Sequence, residues 1–165
     1  MGNADMFLKL EGKSTGPVKG ESADEKHPGE IAITEWSWGM QGSQGLGGAS
    51  GVATARTAMS EIRFGKRTDS ATTQLMSVLR NNEIIKQAVL TVRKAGTHGP
   101  VEYLIVTLKN GRLTSHTIGT PAPNDPVLTE SFSMAFEEIE VKYTPQVNTG
   151  DKSASMIFNA RVHAA

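Results

Sequence analysis

Cysteine is absent from the 165 residues, which excludes disulfides, thiolate nucleophiles and cysteine-based zinc sites at once. Net charge is absent too, since 17 basic side chains balance 17 acidic ones. The long-range field that gathers nucleic acid or anionic lipid is therefore missing, and neither is expected as a partner. A chain near zero net charge is instead free to self-associate. No apolar run approaches the roughly 20 residues of a membrane span. The start, MGNADMFLKL, carries Asp5 and too short an apolar stretch for a signal peptide. Synthesis in the cytoplasm is expected, with any export by a route that accepts the folded protein.

What is present reads as strands. Met6, Leu8 and Leu10 alternate with Phe7 and Lys9, the pattern of a short strand. Glu11 to Gly29 is polar and rich in Gly and Pro, a surface connection. From Glu30 to Met40, Ile31 and Ile33 share one phase, whereas Trp36, Trp38 and Met40 share the other. A β-bulge near Thr34 would give that slip, and the same slip recurs across Glu137 and Glu138 between Phe136 and Ile139. Further strands are expected over Val52 to Phe64, Ile84 to Lys94, Val101 to Leu108 and Leu113 to Ile118, with Ala154 to Val162 as a closing strand. Asn110-Gly111 reads as a two-residue hairpin. Thr68 to Asn82 is the one helix, capped by Asp69 or Ser70, with Ala71, Leu75, Val78 and Leu79 on one face and Asn81 and Asn82 at its end. About eight strands and one helix, with no repeat or dividing linker, make one domain spanning residues 1–165, an antiparallel barrel or sandwich.

The chemistry searched for is incomplete at each point. Gly12-Lys13-Ser14 ends like a phosphate-binding loop, but Phe7 stands where that loop needs a glycine. His27, His98, His116 and His163 lie in different segments without metal-ligand spacing, and His27 is expected to be solvated in its polar loop. No GxSxG elbow activates a serine. Glu137 and Glu138 point to opposite faces of a strand and cannot work as an acid and base pair. Trp36 and Trp38 point to one side and Ser37 to the other. The indoles are expected to anchor the core. Were both exposed, they would form a stacking platform, and the alternative would be a monomeric β-barrel module binding carbohydrate or nucleic acid. No enzyme, cofactor or metal is expected. Six glycines fall between Gly39 and Gly51, a long loop. Ordering ten such residues costs upwards of about 10 kcal/mol, so order there would have to come from laying Leu46 and Val52 on another subunit.

Several segments together carry a family resemblance: DMFLKLEG (Asp5 to Gly12), GESADEKHPGEIAITEWSWGM (Gly20 to Met40), LTVRKAG (Leu90 to Gly96), VEYLIVTLKN (Val101 to Asn110) and LTESFSMAFEEIEVKYTPQ (Leu128 to Gln146). In this order the chain resembles the haemolysin-coregulated proteins, Hcp, of the bacterial type VI secretion system. The resemblance implies a mainly β, barrel-like fold of two antiparallel sheets with one flanking α-helix, assembled into a hexameric ring. In that family rings stack into the inner tube driven by a contractile sheath beneath a spike, and the lumen carries or chaperones effector proteins. Secretion by that system needs no signal peptide. Carried onto this chain, the family's long loop covers about Met40 to Ala53, which makes Gln41, Gln44, Leu46 and Val52 the candidates for contacts between subunits. Ser37 matches the small polar position opposite the tryptophans, the candidate for the lumen wall that meets cargo. His27 and Glu30 match the family pattern without an assigned role. The segment GKSTGPVKGES is longer than in the shortest members, and the tail after Gln146 differs.

Overall fold

The structure, a computed structural model, describes residues 5–42, 57–145 and 154–162. The expected alternation at Met6, Leu8 and Leu10 forms β1 (Met6–Gly12), and Leu8 and Leu10 are fully buried. The polar segment after it is not wholly a connection. Its Gly16 takes φ +72°, a conformation open to glycine, and turns the chain into β2 (Gly16–Val18), which pairs back on β1.

Ile31 to Ser37 explains the first change of phase. Ile31–Ala32 (β3) pairs with β1, whereas Glu35–Ser37 (β4) pairs with β7 (Ile62–Arg67). Between them, Ile33 N–H donates to the Met6 carbonyl at 3.0 Å, and the very next donor, Thr34 N–H, goes to Gly65 at 2.8 Å. The slip is a change of partner, not a bulge within one ladder. It is also the seam of the barrel, because the remaining order runs β1, β8 (Ile85–Lys94), β9 (Val101–Gly119), β10 (Thr129–Tyr143), β7, all antiparallel. Closure leaves few unpaired edges. The expected closing role of Ala154 to Val162 is therefore corrected: β11 (Met156–Arg161) adds to β10 outside the seam. The remaining strands, β5 (Met40–Gly42) and β6 (Thr57–Met59), form a separate two-stranded ribbon. Ser60 and Glu61 separate β6 from β7, so the strand expected over Val52 to Phe64 is broken.

The Asn110-Gly111 hairpin is also corrected. β9 runs unbroken through both residues, with Asn110 at φ +52°. The dipeptide has the left-handed residue a hairpin requires, but here it creases a strand. Buried positions in β9 change phase between Leu108 and Gly111, in β10 between Phe136 and Ile139, and in β8 between Ile85 and Ala88. Gly111 faces both Ile85 and Phe136, so the three changes share one line across the sheet. No register shift accompanies the change at Glu137, and the bulge in this ladder lies instead at Ser133/Met134. One core results, in which Ile62, Phe64, Leu90, Val106, Phe132 and Met134 meet.

The helix, α1 (Thr72–Arg80), is shorter than expected and packs on β9 through buried Leu75 and Val78. Ala71 occupies its N-cap position, not Asp69 or Ser70. Asp69 Oδ1 accepts from Ala71 N–H at 2.9 Å, organising the turn just before the helix, while the Ser70 hydroxyl donates to the Lys19 carbonyl. Asn81 and Asn82 end the helix as expected, Asn82 at φ +49°.

Candidate assembly and cargo surfaces

Strand alternation sets the face on which Ser37 stands. Trp36 opposes Phe64 and packs on the core, and Trp38 packs beside Phe136 and Phe158 with its indole N–H donating to the Ser60 carbonyl at 3.0 Å. The indoles anchor the barrel instead of forming an open platform. Ser37 is turned outward and exposed. Register then places it at the end of a row across four strands: Ser37 faces Arg63, Arg63 faces Ser133, and Ser133 faces Ser115. The adjacent row is Glu35, Gly65, Ser131 and Thr117. Arg63 donates to Ser131 Oγ at 3.4 Å. A Cβ on Gly65 would stand 2.5 Å from Glu35 Cγ, so the glycine is what lets the Glu35 side chain lie flat across β7. The face is thus built of small hydroxyls with Arg63 among them. Sequence reading found Ser37 but not Arg63, Ser115, Ser131, Ser133 or Thr117. The alternation in Ser131-Phe132-Ser133-Met134 marks two of them as outward-facing; what places them beside Ser37 is the pairing of strands distant in sequence.

Of the expected contact-loop residues, Gln41 is exposed on β5, opposite Ala58. Gln44, Leu46 and Val52 lie outside the described residues. The ribbon that carries Gln41 also leaves Met40 48 % exposed, and a two-stranded ribbon gains little stability alone. A second open surface lies on β11. Met156 is 66 % exposed, and Ile157 and Phe158 are exposed beside it on alternating faces, so neither face of this strand is buried as a core strand would be. The Arg161 guanidinium at its end pairs with Glu138. That hydrogen bond holds the Glu138 carboxyl below its ordinary range and raises Arg161. Glu137 faces water, and Asn110 Nδ2 donates to it at 3.5 Å.

Two polar clusters stand out among the described residues, one partly buried at the loop before β3 and one completely buried under α1. His27 is only 8 % exposed, which corrects the expectation of a solvated loop histidine. Its ring stacks on Phe7 at 4.7 Å, with Nδ1 2.5 Å from Glu30 Oε2 and Nε2 2.7 Å from Glu102 Oε1. The imidazole thereby ties this polar loop to β1. Arg93 reinforces this tie from above Phe7 and through Asp24. The hydrogen bond from Arg93 takes the Asp24 carboxyl from its ordinary value of 3.8 down to about 2 and raises Arg93 in turn. The second cluster centres on Lys66, whose side chain is completely buried and whose Nζ donates to Glu130 and, at 2.7 Å, to Asp69. Thr72 Oγ1 donates to Glu130 Oε1 at 3.0 Å, and His116 Nε2 lies 3.1 Å from Oε2. These groups join β7, β9, β10 and the start of α1.

The Lys13 to Thr15 turn has its donors already engaged. Ser14 and Thr15 N–H groups reach Glu83 Oε1 at 2.5 and 2.6 Å, and the Thr15 hydroxyl reaches Oε2 at 2.6 Å. The Thr15 hydroxyl bond foremost lowers the Glu83 carboxyl from its ordinary range. Among the described residues no group of three or more His, Asp or Glu side chains is arranged to hold a metal ion, and no helix is long and apolar enough to cross a membrane.

The described residues thus form a helix-flanked antiparallel barrel with an outward hydroxyl-rich face and exposed apolar side chains on β11. The family model described as "Type VI secretion system effector, Hcp" matches residues 7–143. The chain is 38 % identical over 153 residues to "Protein hcp1" of Pseudomonas aeruginosa, covering 93 % of this chain and 91 % of that protein. Among solved structures, it is similar to a type VI secretion system effector from Yersinia pestis, with 24 % identity, TM-score 0.73, and 96 % and 100 % of the two chains covered. A further structure, described as a type six secretion system protein, superposes with TM-score 0.79 at 21 % identity over 95 % of this chain and 96 % of that one. The chain belongs to the Hcp family of type VI secretion, and its general role there is structural.

Proposed function

We propose that this chain is a single tube domain that assembles into hexameric rings, which stack into the inner tube of a type VI secretion system and carry effectors in their lumen. Family membership supports the general role, and exposed Met156, Ile157 and Phe158 on β11 carry the assembly reading. Apolar side chains open on both faces of one strand gain on the order of 25 cal/mol per Å² when a neighbour covers them. The ribbon bearing Gln41, together with Gln44, Leu46 and Val52, supplies contacts between neighbouring or stacked subunits. Ser37 and its row form the lumen wall, and the sheath and spike proteins are partners of the stacked tube. Synthesis is cytoplasmic, and the protein leaves through the secretion system itself. Native mass measurement combined with electron microscopy of the purified protein tests this reading. Rings of six subunits are expected, and a monomer at high concentration with no rings would overturn it.

A further inference from the structure

We infer that Arg63 selects cargo, giving the lumen wall a preference for folded proteins that present carboxylates. This inference rests on the lumen reading above. Arg63 stands in the interior of the hydroxyl row, with Ser37 on one side and Ser133 on the other. It is exposed, and its hydrogen bond is to a serine hydroxyl, which leaves the positive charge uncompensated. Among the described residues no carboxylate comes within ion-pair distance of it.

The neighbouring charges fit this assignment. Glu35 lies across Gly65, with Arg63 and Arg67 two residues away on either side of that glycine. The nearby carboxylates, Glu35 and Glu61, do not pair with Arg63: Glu35 lies over Gly65, and Glu61 accepts from the Thr114 hydroxyl at 2.8 Å. Arg112, farther along the same sheet, is oriented by donation to the Asn82 carbonyl at 2.8 Å. Arg63 is thus a cation presented among small neighbours, Ser37, Ser131 and Ser133, where a cargo surface can approach without displacing bulky side chains. A guanidinium offers a planar pair of donors to a carboxylate, and the flanking hydroxyls can donate or accept beside it. Symmetry in a ring would repeat this site, so weak contacts at several copies would reinforce one another.

The test uses purified rings and two variants of one small helical bundle, one rich in surface Asp and Glu and one rich in surface Lys, with binding read by fluorescence anisotropy. The acidic bundle is expected to bind the parent ring more tightly than the basic one, and less tightly as salt rises. Arg63→Glu should weaken acidic-bundle binding by about tenfold or more if several copies engage, and Arg63→Lys should restore part of it. Electron microscopy must show intact rings for each variant. Unchanged binding in Arg63→Glu rings, with binding lost in Ser37→Gln rings, would overturn the role of Arg63 and leave the lumen reading standing. Binding unchanged in both would overturn the lumen reading itself. A single-stranded oligonucleotide that bound as tightly as the acidic bundle, with the same dependence on Arg63, would overturn the assignment to protein cargo.

Discussion

Replacing Lys66 by Met tests whether the buried polar cluster holds the barrel to its helix. In the parent, the completely buried ammonium is paired with Glu130 and Asp69. Its removal leaves the Glu130 carboxylate, also completely shielded, with Thr72 Oγ1 and His116 Nε2 as its remaining partners. Stranding one member of a buried ion pair costs about 3–5 kcal/mol. For a domain of this length each kcal/mol moves Tm by roughly 2–4 °C, so a fall of about 6–20 °C is expected. Glu130→Leu should cost less, because Lys66 then keeps the Asp69 carboxylate and the Thr72 hydroxyl. The double variant removes both charges together, so it should be less destabilised than the sum of the singles by about 2 kcal/mol or more. Urea denaturation at one fixed protein concentration measures all four corners, since assembly itself adds to apparent stability. A loss below about 1 kcal/mol for Lys66→Met, or strict additivity in the double variant, would refute the reasoning.

Other expectations follow from separate parts of the fold. Gly111→Ala places a Cβ against Met134 Cε and the Ala135 carbonyl oxygen, and the carbonyl belongs to a paired strand that cannot yield, so denaturation should show a loss of about 1–3 kcal/mol or more. Because the folded Asp24 carboxyl is depressed from 3.8 to about 2, its contribution to stability is complete above 3.8 and disappears as pH falls toward 2. Asp24→Asn should accordingly flatten the acid limb of the denaturation midpoint in that window, and an unchanged limb would argue against the Arg93 pairing. Ser37→Gln should leave rings intact by microscopy while reducing co-purified cargo, and normal cargo yield would remove Ser37 from the wall. Deleting Gly42 to Ser50 should spare the fold by circular dichroism but weaken ring or tube assembly, an expectation that retained tubes would contradict.

Local pattern proved a good guide to where elements lie. Met6, Leu8 and Leu10 marked β1, although Phe7, expected on the other face, is buried as well, and Ala71, Leu75, Val78 and Leu79 marked the side of α1 and its N-cap that meets the core. The change of phase after Ile33 was visible too, but a sequence does not distinguish a bulge from a strand that leaves one partner for another. Asn110-Gly111 misled for a related reason. Its turn chemistry is real, since Asn110 does adopt positive φ, yet the flanking strands continue along β8 and β10 and convert a turn into a crease. His27 misled because polar neighbours suggested water, whereas Glu30 and Glu102, the latter distant in sequence, supply the partners that make burial tolerable. That Ser37 faces outward was legible from alternation. Arg63 and the serines beside it share that face only through register, which one strand read alone does not contain.

The seam at Ile33 and Thr34 has a kinetic consequence. Two successive amides fasten opposite borders of the sheet, one to Met6 and the next to Gly65, so the short segment between β3 and β4 can lock only when both borders are in place. One of those borders, β1, is held in the sheet by β8, which lies on the far side of the helix in sequence, and contacts of such long range form slowly. Until then the nascent chain has two open borders and no settled place for Ser37, which sits just past the seam. Under the cargo role proposed for Ser37, a subunit with an unfinished barrel would have no wall to present, so closing the barrel would precede loading.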